Sequence, residues 1–187
     1  MKVHFLTHKQ LNSEELQAKL LKDLQVAVGS NPIIRVHFED PEFNPIHAEE
    51  KGDWIDLCAG ETVSIDGGQS KLISLGVAMK LPNGFEAHLL PRSSTFNKYG
   101  ILMANSMGIV DNSYSGTEDY WKFNAYATHD VTIHKGDRIA QFRIMPTMAG
   151  MYMNRYNPMF MEDPHLFFVI EDSLDTINRG GFGSTGN

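Results

Sequence analysis

The sequence predicts an all-β fold, a β-sandwich or jelly roll with one peripheral helix near the N-terminus. Three observations carry that prediction. From Ile33 onward apolar residues recur with period two in short stretches, turn residues separate the stretches, and a single segment has helical spacing. The 187 residues suit one domain with a sizeable core. Strands do not alternate with long helical patterns, which argues against a Rossmann or P-loop layout.

The helical segment comes first. Leu16, Leu20, Leu24 and Val28 fall every four residues, Asn12 and Glu15 have capping-box spacing, Leu11 can staple onto Leu16, and Gly29 stands where a helix ends. Residues 1–32 are therefore expected to form an N-terminal extension with an amphipathic helix. A single β domain is expected over 33–175, with strands at 33–38, 54–59, 71–80, 85–90, 120–128 and 137–145. Trp121, Phe123, Ala125 and Ala127 alternate with Lys122, Asn124 and Tyr126, which puts one face of that strand in the core. Leu81-Pro82-Asn83-Gly84 reads as a hairpin turn, and Asp66-Gly67-Gly68 and His134-Lys135-Gly136-Asp137 as further turns. An insertion is expected at about 147–165, where methionines and aromatic residues gather without clean periodicity. Residues 176–187 are glycine-rich, too poor in apolar groups to fold alone, and are expected to form a flexible arm.

Charge and cysteine usage narrow the function. Sixteen Lys and Arg against 23 Asp and Glu give a net charge of −7, so no general positive field draws nucleic acid or anionic lipid. An anionic ligand then needs a local site and a cation. The single cysteine, Cys58, rules out an intrachain disulfide and a Cys-rich zinc site, and it fits a reducing, cytoplasmic compartment. No run approaches the ~18 apolar residues of a membrane span.

Several stretches can build such an anion site. Pro91-Arg92-Ser93-Ser94, at a strand end, offers a guanidinium fork and hydroxyls that suit phosphate oxygens. Asp111 sits in the turn-like stretch from Gly108 to Gly116, and Gly136 to Gln141 opens another strand. The arm from Arg179 adds backbone amides able to wrap an anion, with an arginine and a phenylalanine for charge and stacking. Together these elements point to a polyphosphate.

In order, Gly52-Asp53-Trp54-Ile55-Asp56-Leu57-Cys58-Ala59, Pro91-Arg92-Ser93-Ser94, Asn105 to Gly116, Gly136 to Gln141 and the arm resemble the five motifs of the trimeric dUTPase (dUTP diphosphatase) family. The resemblance implies a jelly-roll protomer, a homotrimer with sites shared between protomers, and hydrolysis of dUTP to dUMP and diphosphate with Mg²⁺ held by phosphates and water. By the same resemblance, Asp111 is the base that deprotonates the attacking water. Tyr114 lies under the deoxyribose and excludes a 2′-hydroxyl. Asn105, with the backbone at Gly108 and Val110, belongs to the uracil-reading hairpin. Arg92, Ser93, Ser94 and Gln141 contact phosphates, Asp56 holds an arginine in place, and Asp137 is structural near the site. Arg179, Phe182, Gly183, Ser184 and Thr185 match the closing arm.

The match departs from the family pattern in places. Ser113 stands where a second Asp is common, and Ser94 where Gly is usual. The arm is shortened, with only two glycines between Arg179 and Phe182. An aromatic lid over the uracil is therefore expected from elsewhere, with Tyr120 as the candidate. Two rival readings differ in class. A dCTP deaminase resembles this family but places a Glu where Trp121 stands, and a regulatory dUTPase-fold protein would use its helix and Met-rich insertion to hold a protein partner.

Overall fold

The computed structural model describes residues 2–7, 33–49, 52–153, 165–174 and 177–181. Fourteen strands and two short helices form among them: β1 (Lys2–Thr7), β2 (Ile33–Phe38), β3 (Ile46–Ala48), β4 (Ile55–Cys58), β5 (Val63–Ile65), β6 (Ser70–Ser74), β7 (Val77–Lys80), β8 (Phe85–Pro91), α1 (Thr95–Tyr99), β9 (Ile101–Met103), β10 (Gly108–Val110), β11 (Lys122–Ala127), β12 (Val131–Ile133), β13 (Arg138–Pro146), α2 (Met148–Met153) and β14 (His165–Ile170). The expected mostly-β architecture is present. The expected helix at 12–29 lies outside the described residues, and so do most of the Met-rich insertion and the arm beyond Gly181.

Alternation of apolar residues explains the strands. Ile34, Val36 and Phe38 of β2 point inward, as do Phe85, Ala87 and Leu89 of β8 and Phe123, Ala125 and Ala127 of β11. The sheets run β1-β14-β2-β7, β10-β8-β13-β4-β3, β6-β11-β9 and β12-β5. Two of them meet at an aromatic cluster just ahead of β11, where the Trp121 ring stands edge-on to Phe142 of β13 at 5.2 Å and Phe142 stands edge-on to Phe168 of β14 at 6.4 Å. Such pairs add ~0.5–1.5 kcal/mol beyond their burial. Cys58 is a buried core residue of β4, and burial pushes its thiol up to about 11.

Four expectations change. Lys2–Thr7, expected in an extension ahead of the β domain, forms β1 and pairs in parallel with β14. The stretch 71–80 is two strands, because Gly76 takes φ +67° and the chain crosses from β6, beside β11, to β7, beside β2. Gly60 packs against this bend so tightly that a Cβ there would lie 2.5 Å from the Gly76 nitrogen. The turn at 81–84 forms, with the Phe85 N–H donating to Pro82 O at 3.2 Å, but it is no hairpin. β7 pairs with β2 while β8 lies between β10 and β13, so the turn is a corner between sheets, pinned by the Asn112 amide on the Leu81 and Pro82 carbonyls. Lastly, 108–110, expected within a turn, is strand β10, paired with β8 from Gly108 opposite Leu89 to Val110 opposite Ala87.

Candidate active site

Adjacent strands build one group of residues by register. Gln141 of β13 stands opposite Asp56 of β4 on one side and Leu90 of β8 on the other, so motifs far apart in sequence meet at one end of this sheet. Asp56 is buried and accepts from Arg92, with Nε 2.8 Å from Oδ1. Its other oxygen lies 3.4 Å from Arg138 Nη1, beside a register irregularity between Arg138 and Ala140; that Nη1 donates more closely to Glu49 Oε1, at 3.0 Å. A buried carboxylate between two guanidinium groups fixes Arg92 while leaving the rest of its fork for a ligand. Gln141 Nε2 donates to Pro91 O at 3.1 Å, tying β13 to the strand end that carries Arg92.

Ser93 and Ser94 are exposed at the start of α1. Thr95 Oγ1 donates to Ile139 O at 2.8 Å and holds that start against β13. Ser94 occupies the N-cap position but makes no side-chain cap bond; its hydroxyl instead accepts from Arg92 Nη1 at 3.5 Å. Asp137 accepts from the Tyr99 hydroxyl at 2.8 Å and from the His134 N–H at 2.9 Å, a structural role next to this group.

A second group forms where β10 ends. Asp111 Oδ1 accepts from the Ser113 N–H at 2.8 Å and from the Ser113 hydroxyl, and Oδ2 from Arg179 Nη1 at 2.5 Å. Partial burial pushes the Asp111 carboxyl up, but the bonds from Ser113 and Arg179 outweigh it and hold the carboxyl below the ordinary range. Asp111 is thus a charged, accessible acceptor at neutral pH. Tyr114 is half-buried, donates to Tyr120 O at 2.9 Å, and packs so closely on the arm that a Cβ on Gly181 would lie 3.1 Å from its ring. Asn105 lies in the exposed loop between β9 and β10, where Ser106 takes φ +63° and Asn105 Nδ2 donates to Met107 O at 3.3 Å. The Tyr120 ring sits 6.1 Å from the ring of His37 on β2.

The two groups lie at opposite ends of β8. Val110 faces Ala87 and Ala140 faces Pro91, with Asp111 and Arg92 one residue beyond on either side. Six residues of extended chain span ~20 Å. One chain therefore does not bring Asp111 to Arg92, Ser93 and Gln141.

Asp119 is a site residue that motif spacing did not reveal. It is buried, and its carboxylate accepts from the backbone N–H of Gly116 (2.9 Å), Arg179 (2.8 Å) and Gly180 (2.9 Å), fastening the arm to the loop after Tyr114. The signal was present as the Gly-Thr-Glu-Asp turn, had one asked which acceptor satisfies the amides of a glycine-rich arm.

The dUTPase family model matches residues 45–160, a span that holds the first group and, of the second, Asn105, Asp111, Ser113, Tyr114 and Tyr120. The chain belongs to the dUTPase family. It is 46% identical over 153 residues to the SPbeta prophage-derived deoxyuridine 5'-triphosphate nucleotidohydrolase of Bacillus subtilis, covering 82% of this chain and 97% of that protein. It is 33% identical to the deoxyuridine 5'-triphosphate nucleotidohydrolase of Leifsonia xyli, over 76% of this chain and 84% of the relative. Among solved structures, the dUTPase from Streptococcus mutans aligns with TM-score 0.53 and 25% identity over 58% of this chain and 89% of that one. The Staphylococcus bacteriophage 80alpha dUTPase shares the fold at TM-score 0.54 and 20% identity, over 61% of this chain and 90% of that one. As a dUTPase, the chain carries Asp56, Arg92, Asn105, Asp111, Tyr114 and Gln141 inside the matched span, whereas Arg179 lies beyond it. The arm residues Phe182, Gly183, Ser184 and Thr185 lie outside the described residues.

Proposed function

We propose that the protein is a dUTP diphosphatase, a cytoplasmic homotrimer of jelly-roll protomers that hydrolyses dUTP to dUMP and diphosphate. The observation that carries this reading is Asp111: an accessible carboxylate held ionised by Ser113 and Arg179, next to a ring that can sort sugars and beside an anion-binding arm. Its oxygen takes a proton from water as the water oxygen attacks the α-phosphorus. The bond to the bridging oxygen breaks, and diphosphate leaves with that electron pair. Tyr114 underlies the deoxyribose, and Asn105 with the Gly108 and Val110 backbone reads the uracil edge.

The separation along β8 supports a site shared between copies of the chain, as the trimer requires. Successive phosphates share a bridging oxygen, so a base acting at the α-phosphorus and an arginine holding the phosphates must lie close together, whereas within one chain ~20 Å of strand divides them. A second protomer that brings its Arg92, Ser93, Ser94 and Gln141 to Asp111 completes the site.

The donor set suits Mg²⁺ carried by substrate. Asp56 and Asp111 are engaged by arginines, and among the described residues no group of three or more His, Cys, Asp or Glu gathers. A hard cation, when bound, would draw its ligands from phosphate oxygens and water and would neutralise charge on the leaving diphosphate. The arm's phosphate contacts are assigned to Arg179, Gly183, Ser184 and Thr185, and the uracil lid to Phe182 or, given the short spacing, to Tyr120. The test is diphosphate release with Mg²⁺ from each deoxynucleoside triphosphate and from UTP. A strong preference for dUTP is expected, and equal rates across bases overturn the reading.

A further inference from the structure

Strand β14 carries an unbroken apolar run, Leu166-Phe167-Phe168-Val169-Ile170, where β2 and β11 alternate apolar with polar residues. Such a run marks a strand covered on both faces, as in parallel sheets. β14 lies between β1 and β2 and runs parallel to both. One of its faces belongs to the central core, through Leu166 and Phe168. Phe167 and Val169 point the other way, and on that outer face the register sets His4 and Leu6 of β1 on one side of them and Ile33 and Arg35 of β2 on the other. Both are only 4% exposed, whereas Ile33 beside Phe167 is 44% exposed. A cover therefore lies over β14.

The chain itself has a segment of the right length in the right place. β1 ends at Thr7 and β2 begins at Ile33, so residues 8–32, which lie outside the described ones, join two parallel strands. Such a connection must return the length of a strand, here ~20 Å, and it is usually a helix. The stripe of Leu16, Leu20, Leu24 and Val28 spans ~18 Å of helix, with four residues between Thr7 and Asn12 and three between Gly29 and Ile33 to serve as loops. β1 and β2 stand two strand spacings apart, ~10 Å, about the width of one helix. The core face is closed to it, because Phe142 and Trp121 fill the side of the sheet on which Phe168 lies. The Arg35–Glu171 ion pair bounds the outer face toward β2.

We propose that residues 12–28 are the crossover helix of a β1-helix-β2 unit, laid on the outer face of β14 with Leu16, Leu20, Leu24 and Val28 against Phe167 and Val169. The helix is then a fixed layer of the protomer. Its apolar stripe is buried within the chain and is not held out to a protein partner.

Hydrogen exchange on the full chain, followed by mass spectrometry, tests the placement. A helix of this length is marginal in water by itself, so an unpacked segment exchanges near the free-peptide rate, whereas 12–28 is expected to exchange at least ~10-fold more slowly. Leu20→Asp should raise exchange in 165–170 by ~10–100-fold, the weight of one buried leucine, while 122–127 keeps its native rate. Lys22→Ala, on the opposite side of the helix, should change neither. Where Leu20→Asp loses its fold, Leu20→Ala carries the same readout with a smaller rise. Free-peptide exchange in 12–28, the result for a segment held out to a partner, overturns the proposal, and so does native exchange in 165–170 of the folded Leu20 variant. A second copy's helix on β14 is distinguished by refolding an equal mixture of isotope-labelled and unlabelled chains and cross-linking Lys19 to Lys80, which stands opposite Arg35 on β7. Links within one isotope are expected, and mixed links in about half of the pairs overturn the proposal.

Discussion

Two inactive variants should restore activity when their chains assemble together. Asp111→Asn keeps the shape of the base but cannot take a proton, a loss of ~10²–10⁴-fold. Arg92→Ala removes the guanidinium that Asp56 holds at 2.8 Å, and a charged contact worth ~1.5–3 kcal/mol corresponds to ~10–100-fold. In the structure the two residues stand at opposite ends of β8, ~20 Å apart along the strand. If each site takes Asp111 from one chain and Arg92 from another, half of the donated bases and half of the donated arginines are native in an equal mixture. About a quarter of the sites are then intact. The assay is diphosphate release from dUTP with Mg²⁺, comparing the coexpressed pair with each variant alone. A mixture that stays at the mean of its parents, in assemblies shown by native mass spectrometry to contain both chains, refutes the shared site.

Other consequences follow from the same geometry. The Ser113 and Arg179 bonds hold Asp111 below the ordinary carboxyl range, so the base stays ionised as pH falls; Arg179→Gln should move the acidic limb of kcat/KM upward, and an unmoved limb removes Arg179 from that role. Tyr114→Ala should raise the use of UTP relative to dUTP, because rejection by packing goes with the ring; an unchanged ratio assigns the sorting to another residue. Phe182→Ala and Tyr120→Ala, compared in dUTP turnover, decide which aromatic covers the uracil. Loss confined to Phe182→Ala ends the case for a relocated lid.

The strands that were legible in the sequence are those long enough to show their period. β2 and β11 each run six residues with one face buried, and the expectation at 33–38 matches β2 end for end. β3, β5, β9, β10 and β12 have three residues each, about one and a half periods, too little to distinguish a strand from a turn. The corner at 81–84 misled for a different reason. A Pro-Asn-Gly turn between two apolar stretches is locally a hairpin signal, and only the Asn112 amide, some thirty residues away, makes it a passage between sheets.

The site was legible residue by residue but not in its spacing. Arg92, Asp111, Gln141 and the Asp56 that holds Arg92 could be named because the order of their motifs resembles that of the dUTPase family, each motif being weak alone. Asp119 could not, since its partners lie sixty residues downstream and the contact closes a long loop that no local pattern encodes. The proposed division of the site is subtler, because β8 carries one group at each end and a paired strand cannot fold back on itself without breaking its ladder to β10 and β13. Rearranging a loop therefore cannot join the halves within a chain. The same pairing that makes β8 a rigid spacer makes it a precise one, so in the proposed assembly a neighbouring copy set against it by symmetry would meet Asp111 at a distance fixed by the fold. That rigidity is the physical basis for expecting activity to follow assembly rather than the folding of a single protomer.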